Sequence, residues 1–495
     1  MILARTSKSP PLKIALDPLS GMPVYRQLYD RIRSAILSGT LPPGSRLPSW
    51  NALAGELGVA RGTVRAAYDW LAGEGYIRAE GAAGTRVHHG LHRAAVKDAA
   101  PERKPQAAPR EASADATSYA WGGSPRPFQM GVPAVDVFPR RAWSRLAARH
   151  ARGLGPQAMV YQDPAGHPPL REAIQAYLAI ARGVVCTPEQ IFITAGFTGA
   201  LDLVTRALLK PDDAVWIEDP GYPRARDALA LAGAQLVPVP VDDDGMDVAR
   251  GMALAPKARF AVVTASHQAP LGMPLALPRR LALLAWAAQS GGWILEDDYY
   301  GEFQFRGRPV PALKSLDHAD RVLYIGTFSK VLMPSLRLGY VVAPKPLLGA
   351  LRRIASLLAP SQSLLAQLAL ADFIAEGHFA RHIRRMRRLY AERRAALVAA
   401  LEAEFGASWE IGLQESGMHL LALCPKGSDD VALAAKAAAA GLGPVALTPW
   451  AVKARCPPGL VMSFANIPAA RAAREAAALA RALDEAPRER RPRQG

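Results

Sequence analysis

Val322-Leu-Tyr-Ile-Gly-Thr-Phe-Ser-Lys330 begins with four apolar residues and ends on a lysine behind small polar ones. A short unbroken apolar run of that kind reads as a strand buried on both faces, which is the signature of a parallel sheet covered by helices. Further runs of the same type surround it. Residues 191–194, 214–218, 235–238, 260–264, 293–296 and 338–342 read as strands, and helical periods lie between most of them. Repeated strand–helix alternation predicts an α/β unit with a mostly parallel central sheet and helices on both faces. After about residue 350 the pattern turns helical, and a smaller α+β portion is expected over roughly 405–485.

Several chemically distinctive segments fall at the predicted C-terminal ends of these strands, where open α/β sheets gather ligands. Thr194-Ala-Gly-Phe-Thr198 leaves one strand and opens a helix. Glu218-Asp-Pro-Gly-Tyr222 puts carboxylates and an aromatic after the next. Glu296-Asp-Asp-Tyr-Tyr300 ends a third, and Thr327-Phe-Ser-Lys330 ends a fourth, with Arg337 one short loop beyond. Pyridoxal phosphate asks for such a set. It needs an amine to hold its aldehyde, a carboxylate to keep the pyridine nitrogen protonated, a flat partner for the ring, and a cradle of helix-start amides plus an arginine for the phosphate.

Residues 22–87 read differently. Val24, Leu28, Ile32, Ala35 and Ile36 recur at helical spacing, and Leu41-Pro-Pro-Gly44 forms a turn. A second helix follows Ser49 as N-cap, with Leu53, Ala54 and Leu57 inward. A third runs from about residue 61 to 74 and buries Val64, Ala67, Tyr68 and Leu71. Residues 76–79 and 85–88 pair as a hairpin around Gly81 and Gly84. The order is that of a winged helix-turn-helix, whose third helix lies in the major groove, where base edges are distinguishable. Arg61, Thr63 and Arg65 stand near the start of that helix. Arg46 and Ser49 precede the second, and Thr85 and Arg86 sit beside the wing tip. These seven are the candidate DNA contacts.

Pro23-Val-Tyr-Arg-Gln-Leu28, the stretch Leu41-Pro-Pro-Gly-Ser-Arg-Leu-Pro-Ser49, Glu56-Leu-Gly-Val-Ala-Arg-Gly-Thr-Val64 and Gly84-Thr-Arg-Val87 together resemble the GntR family of bacterial regulators. Tyr161-Gln-Asp-Pro-Ala-Gly166, Ser266-His-Gln-Ala-Pro-Leu-Gly272 and the segments around Tyr222, Asp297 and Lys330 resemble fold type I, aminotransferase-like pyridoxal-phosphate proteins over about residues 125–480. Both on one chain resemble the MocR-like subgroup. By that resemblance Lys330 carries the cofactor aldehyde, Asp297 pairs with the pyridine nitrogen, Tyr299 meets the ring hydroxyl and Tyr222 stacks on the ring. Gly196, Phe197, Thr198, Thr327 and Arg337 serve the phosphate, and Tyr161 reaches it across a head-to-tail homodimer interface. Lys330, Asp297 and Tyr299 are then the catalytic candidates.

Three departures qualify the resemblance. Trp50-Asn51 stands where GntR proteins usually carry a polar or basic pair. Val461 falls where many transaminases place the arginine that clamps a substrate carboxylate. Ala269 falls near their asparagine, with His267 or Gln268 as substitutes. The resemblance implies a regulator bound to an operator in double-stranded DNA, sensing pyridoxal phosphate or its adduct with an amine or amino acid. The rival is a working aminotransferase with an attached DNA-binding domain; Val461 predicts weak or absent turnover.

Composition agrees with this organisation. At 495 residues two or more domains are expected, and a net charge of +17 favours a polyanionic partner. Cys186, Cys424 and Cys456 are scattered, so neither a disulfide scaffold nor a metal site is expected. With no signal peptide and no membrane span in view, the chain is expected to be cytoplasmic. The predicted division is a leader (1–20), the winged module (21–88), a polar Pro- and Ala-rich linker (89–118), the aminotransferase-like domain (119–485) and a basic tail (486–495). An arginine-rich helix over 378–394 reads as a solvated, ion-paired face or as an accessory DNA contact.

Overall fold

The computed structural model describes residues 14–17, 20–81, 84–88, 123–305, 311–358, 362–412 and 416–484. The predicted linker and basic tail lie outside these residues, and so does most of the leader. The chain divides into two compact units, residues 1–111 and 112–495.

In the first unit α1 (Val24–Leu37), α2 (Trp50–Leu57) and α3 (Arg61–Gly73) enclose one core with Leu28, Ile32, Leu53, Val64, Ala67 and Leu71 at its centre. Val24, expected to face inward, is 38% exposed. It stands at the first position of α1, one turn before the packed stripe begins. Strands β1 (Arg46–Leu47), β2 (Ile77–Ala79) and β3 (Thr85–Val87) form an antiparallel sheet in the order β1-β3-β2. The hairpin is as predicted; β1 is an addition, too short to leave a period in the sequence. Gly84, at φ +91°, lets β3 pass beneath the Arg46 side chain, because a Cβ there would lie 3.0 Å from the guanidinium.

The second unit is built on β4 (Ile191–Thr194), β5 (Ala214–Asp219), β6 (Gln235–Asp242), β7 (Gly245–Met246), β8 (Phe260–Val263), β9 (Trp293–Asp297), β10 (Val322–Thr327) and β11 (Gly339–Val342). Their order is β4-β11-β10-β9-β8-β5-β6-β7. The pairs from β6 through β5, β8 and β9 to β10 are parallel, and β11 runs antiparallel between β10 and β4. Strand alternation divides the side chains between two cores. Leu295 and Leu323 pack with helices Gly196–Leu208 and Leu348–Leu358; Ile294 and Val322 pack with Leu283 and Trp286 of helix Leu277–Ser290.

A smaller antiparallel sheet of β12 (Glu410–Ile411), β13 (His419–Leu423), β14 (Val445–Ala446) and β15 (Gly459–Ser463) has the order β12-β13-β15-β14. It shares a third core with helices His378–Phe405 and Ala472–Asp484. The β4, β5, β9 and β10 ends converge on one sheet edge, and the smaller sheet brings His419 and Trp450 to it.

Candidate cofactor cavity and DNA-reading face

On the first unit, Arg61 and Arg65 are exposed on α3, and Thr63 is half-buried. Arg65 lies 3.9 Å from Asp69 in an exposed i,i+4 pair, which holds it weakly and leaves it available to a stronger anion. Ala60, the N-cap of α3, has no side-chain cap and no acid follows in the first turn, so the helix start favours an anion. Ser49 caps α2 by accepting the Ala52 N–H at 3.2 Å. Arg46 is exposed on β1. Thr85 pairs with Leu47 and Ala79 in the sheet. Arg86 is engaged within the wing: Nη1 donates to the Gly44 carbonyl at 2.9 Å, and Nε lies 3.2 Å from Glu80. Trp50, at the start of α2, is 39% exposed.

In the second unit a cavity of about 420 Å³ opens at the converging strand ends. Lys330, Asp297, Tyr299, Tyr222, Phe197, Thr198, Thr327 and Arg337 all line it. Gly196 lies behind the wall: at φ +72° its missing Cβ would stand 3.8 Å from Ser329 Oγ and 3.9 Å from Arg337 Nη1. Arg337 is anchored by donating from Nη2 to the Ala195 carbonyl at 2.9 Å, at the start of helix Gly196–Leu208. Cation and helix start therefore meet at one end of the cavity. Tyr222 packs between Phe197 and Trp450, with ring centroids 5.9 and 6.1 Å away. Tyr299 and Tyr300 both line the wall, tilted at 4.1 Å. Tyr161 is 101% exposed and is not among the residues lining the cavity in the single chain.

The three consecutive acids of β9 take separate tasks. Glu296 accepts backbone N–H groups of Leu313 and Lys314 at 2.6 and 2.9 Å. Asp298 is buried against Arg182 at 2.7 Å and accepts the Tyr324 hydroxyl at 2.6 Å. Asp297 alone of the three faces the cavity. Burial pushes its carboxyl well above the ordinary range, Asp298 adds to the shift, and Lys330 opposes it. Burial lowers the Lys330 amine to about 8, with Asp297 opposing and Arg224 and Arg337 assisting. Lys330 Nζ also donates to the Gly131 carbonyl at 3.4 Å.

Sequence reading missed Arg224, Ser329, His419, Trp450 and the segment 129–132, all of which line the cavity. Arg224 stands two residues beyond Tyr222 on the same helix start and was within reach of the pattern. His419 and Trp450 belong to no strand-end motif. Of the departures, Ala269 lines the wall, whereas Gln268 is spent on the Pro220 and Ala269 carbonyls and His267 on Ser416 Oγ. Val461 is buried on β15, in one apolar cluster with Met130. The arginine-rich helix is neither simple face: Arg393 is buried against Asp136 and the Ala465 carbonyl, Arg387 donates to the Glu302 carbonyl, and Arg384, Arg385 and Arg388 are exposed. No helix among the described residues is long and apolar enough to cross a membrane.

Comparison with known proteins matches residues 24–87 to the bacterial regulatory proteins of the gntR family and residues 134–471 to aminotransferase class I and II. The chain is 40% identical over 428 residues to the probable rhizopine catabolism regulatory protein MocR of Rhizobium meliloti, covering 85% of each. It is 34% identical over 455 residues to the pyridoxine biosynthesis transcriptional regulator PdxR of Corynebacterium glutamicum, covering 92% of this chain and 95% of that one. Among solved structures, the α-aminoadipate aminotransferase LysN of Thermus thermophilus superposes with a TM-score of 0.66 at 30% identity, over 72% of this chain and 91% of that one. The kynurenine aminotransferase of Pyrococcus horikoshii gives 0.66 at 26%, over 74% and 91%. With a helix-turn-helix unit of the one family and a fold type I aminotransferase unit of the other, the chain belongs to the MocR-like subgroup of the GntR regulators.

Proposed function

We propose that this chain is a transcriptional regulator that holds pyridoxal phosphate on Lys330 and responds to that cofactor, or to its adduct with an amine. The observation that carries the reading is one cavity in which a buried amine and a buried carboxylate lie within mutual electrostatic reach, with Arg337 and a helix start at its wall. The residues fit the group. Gly196, Thr198, Thr327 and Arg337 offer donors and space for the phosphate, Tyr222 a flat face, Asp297 a proton for the pyridine nitrogen, and Tyr299 a hydroxyl for the ring oxygen. Pyridoxal phosphate, when bound, supplies an aldehyde for amines and an electron-withdrawing ring.

Each side chain then has a physical task. Burial keeps a share of Lys330 neutral near pH 8, so its nitrogen lone pair is available. The Asp297 carboxyl, protonated by burial, passes that proton to an arriving ring nitrogen and remains as its counter-ion. Arg337 and the start of helix Gly196–Leu208 hold the anionic end and fix the ring's orientation. On the first unit, Arg61, Thr63 and Arg65 read base edges, while Arg46, Ser49, Thr85 and Arg86 approach the backbone of an operator duplex. The bare N-terminus of α3 supports this assignment.

A head-to-tail homodimer gives exposed Tyr161 a role at the partner's phosphate and suits paired half-sites. A regulator needs its ligand to bind two arrangements of the dimer unequally. Val461 supports sensing over turnover, because it removes a bidentate carboxylate partner. The test is borohydride reduction after incubation with pyridoxal phosphate, followed by peptide mass spectrometry. The reading expects the cofactor's mass on Lys330 and none on Lys330→Ala. An unmodified Lys330 in the wild type contradicts it.

A further inference from the structure

Two buried ring nitrogens in residues of the cavity wall have no hydrogen-bond partner among the described residues: Trp450 Nε1 and His419 Nδ1. Native proteins rarely leave such atoms unpaired, and where they do a ligand is a physical reason for it. Both rings are held firmly. Asp219 accepts the backbone N–H groups of Val452, Lys453 and Ala454 at 2.7 to 2.8 Å, and Gly221 donates to the Trp450 carbonyl at 3.1 Å. The loop bearing Trp450 is thereby tied to the end of β5. His419 is fixed on β13, and its Nε2 lies 2.9 Å from the Pro270 carbonyl.

That contact sets the tautomer. A carbonyl only accepts, so Nε2 carries the proton and Nδ1 is a bare acceptor. Burial lowers the ring's pKa to about 4, so the neutral form persists at physiological pH. The rings that surround it are His267 at 5.0 Å and Tyr300 at 5.8 Å. Trp450 Nε1 can only donate. The wall therefore presents one fixed donor and one fixed acceptor, both uncharged. A hydroxyl satisfies either. A carboxylate satisfies only the tryptophan and is repelled by the imidazole lone pair, and Val461 provides no compensating cation.

Resting on the reading of Lys330 given above, we infer that the amine effector is a hydroxylated amine without a carboxylate, recognised by Trp450 Nε1–H and His419 Nδ1. Arg224, which also lines the cavity, is the side chain through which an amino acid would compete.

The experiment titrates the full-length, pyridoxal-phosphate-loaded protein with three amines of one carbon skeleton and follows the cofactor's absorbance. The probes are 2-aminopropane-1,3-diol, propan-2-amine and alanine. The diol is expected to half-saturate at a concentration about tenfold below either of the others. His419→Phe and Trp450→Phe should each cut that advantage about fivefold, the scale of one lost hydrogen bond, and leave propan-2-amine unchanged. His419→Asn, which keeps an acceptor, should recover part of it. Retention of the cofactor band shows that each variant is folded. Equal titration by the diol and propan-2-amine overturns the inference while leaving the cofactor reading intact. So does tightest binding by alanine that is lost in Arg224→Ala. A wild-type protein without a Lys330-dependent band overturns both.

Discussion

The two units carry their charge in opposite ways. On the DNA-reading face, Arg46, Arg61 and Arg65 are exposed and drawn from a segment of twenty residues. In the cavity, Lys330 and Asp297 are taken out of water and set against residues from position 129 to position 450. The exposed cations act through long-range attraction to a polyanion, which salt weakens. The buried pair acts through desolvation, which salt barely touches. One surface can tolerate imprecision of an ångström; the other cannot, because its proton balance is set by contact.

If that contrast is right, changes in one unit should leave the other's chemistry alone. The largest effect is expected from Asp297→Ala. Removing one member of a buried charge pair costs about 3 kcal/mol or more, so pyridoxal phosphate affinity should fall on the order of 100-fold by equilibrium dialysis. DNA binding by the cofactor-free protein should not change. Next is Arg61→Ala, which should cost about 1–3 kcal/mol of operator binding in a gel-shift titration, with the cofactor band intact. An Arg61→Ala protein with wild-type operator affinity removes α3 from the groove.

The pH dependence sharpens the contrast. Lys330 is reactive when deprotonated, and its pKa is lowered to about 8 by burial. The rate of covalent attachment to cofactor-free protein should rise with pH, about tenfold per unit below 8, and level off above it. A rate still climbing at pH 10 would mean that the amine is solvated. The smallest effect is that of Ser49→Ala. Loss of the α2 cap should cost about 1 kcal/mol of stability in the N-terminal unit, read as a lower melting midpoint for that transition.

Most of the fold was legible because it is written in local periods. The apolar runs of β4, β5, β8, β9 and β10 and the stripes of α1 to α3 are contiguous in sequence, and the structure has them within a residue or two of the predicted bounds. The two-residue strands β1 and β7 were not legible, since so short a segment has no period. The residues at the strand ends were legible for the same reason as the strands. The three acids 296–298 were ambiguous only in the one-dimensional string. Alternation along β9 sends Glu296 and Asp298 to one side and Asp297 to the other, and the partners Arg182, Leu313 and Lys314 confirm that division. His419 and Trp450 were beyond reach, because the fold of the smaller sheet brings them to the cavity across more than a hundred residues. Arg86 shows the reverse limit: its position in the wing was predicted, but its engagement by Glu80 and Gly44 was not.

The account as a whole requires the cavity to speak to the DNA-reading face. The direct measurement is the affinity for a duplex selected by the protein from a random pool, with and without saturating pyridoxal phosphate, for wild type and Lys330→Ala. Linkage of about 1–3 kcal/mol predicts a 5- to 150-fold change in wild type, and no such change in the variant. An identical affinity in all four conditions, or an equal shift in both proteins, contradicts it.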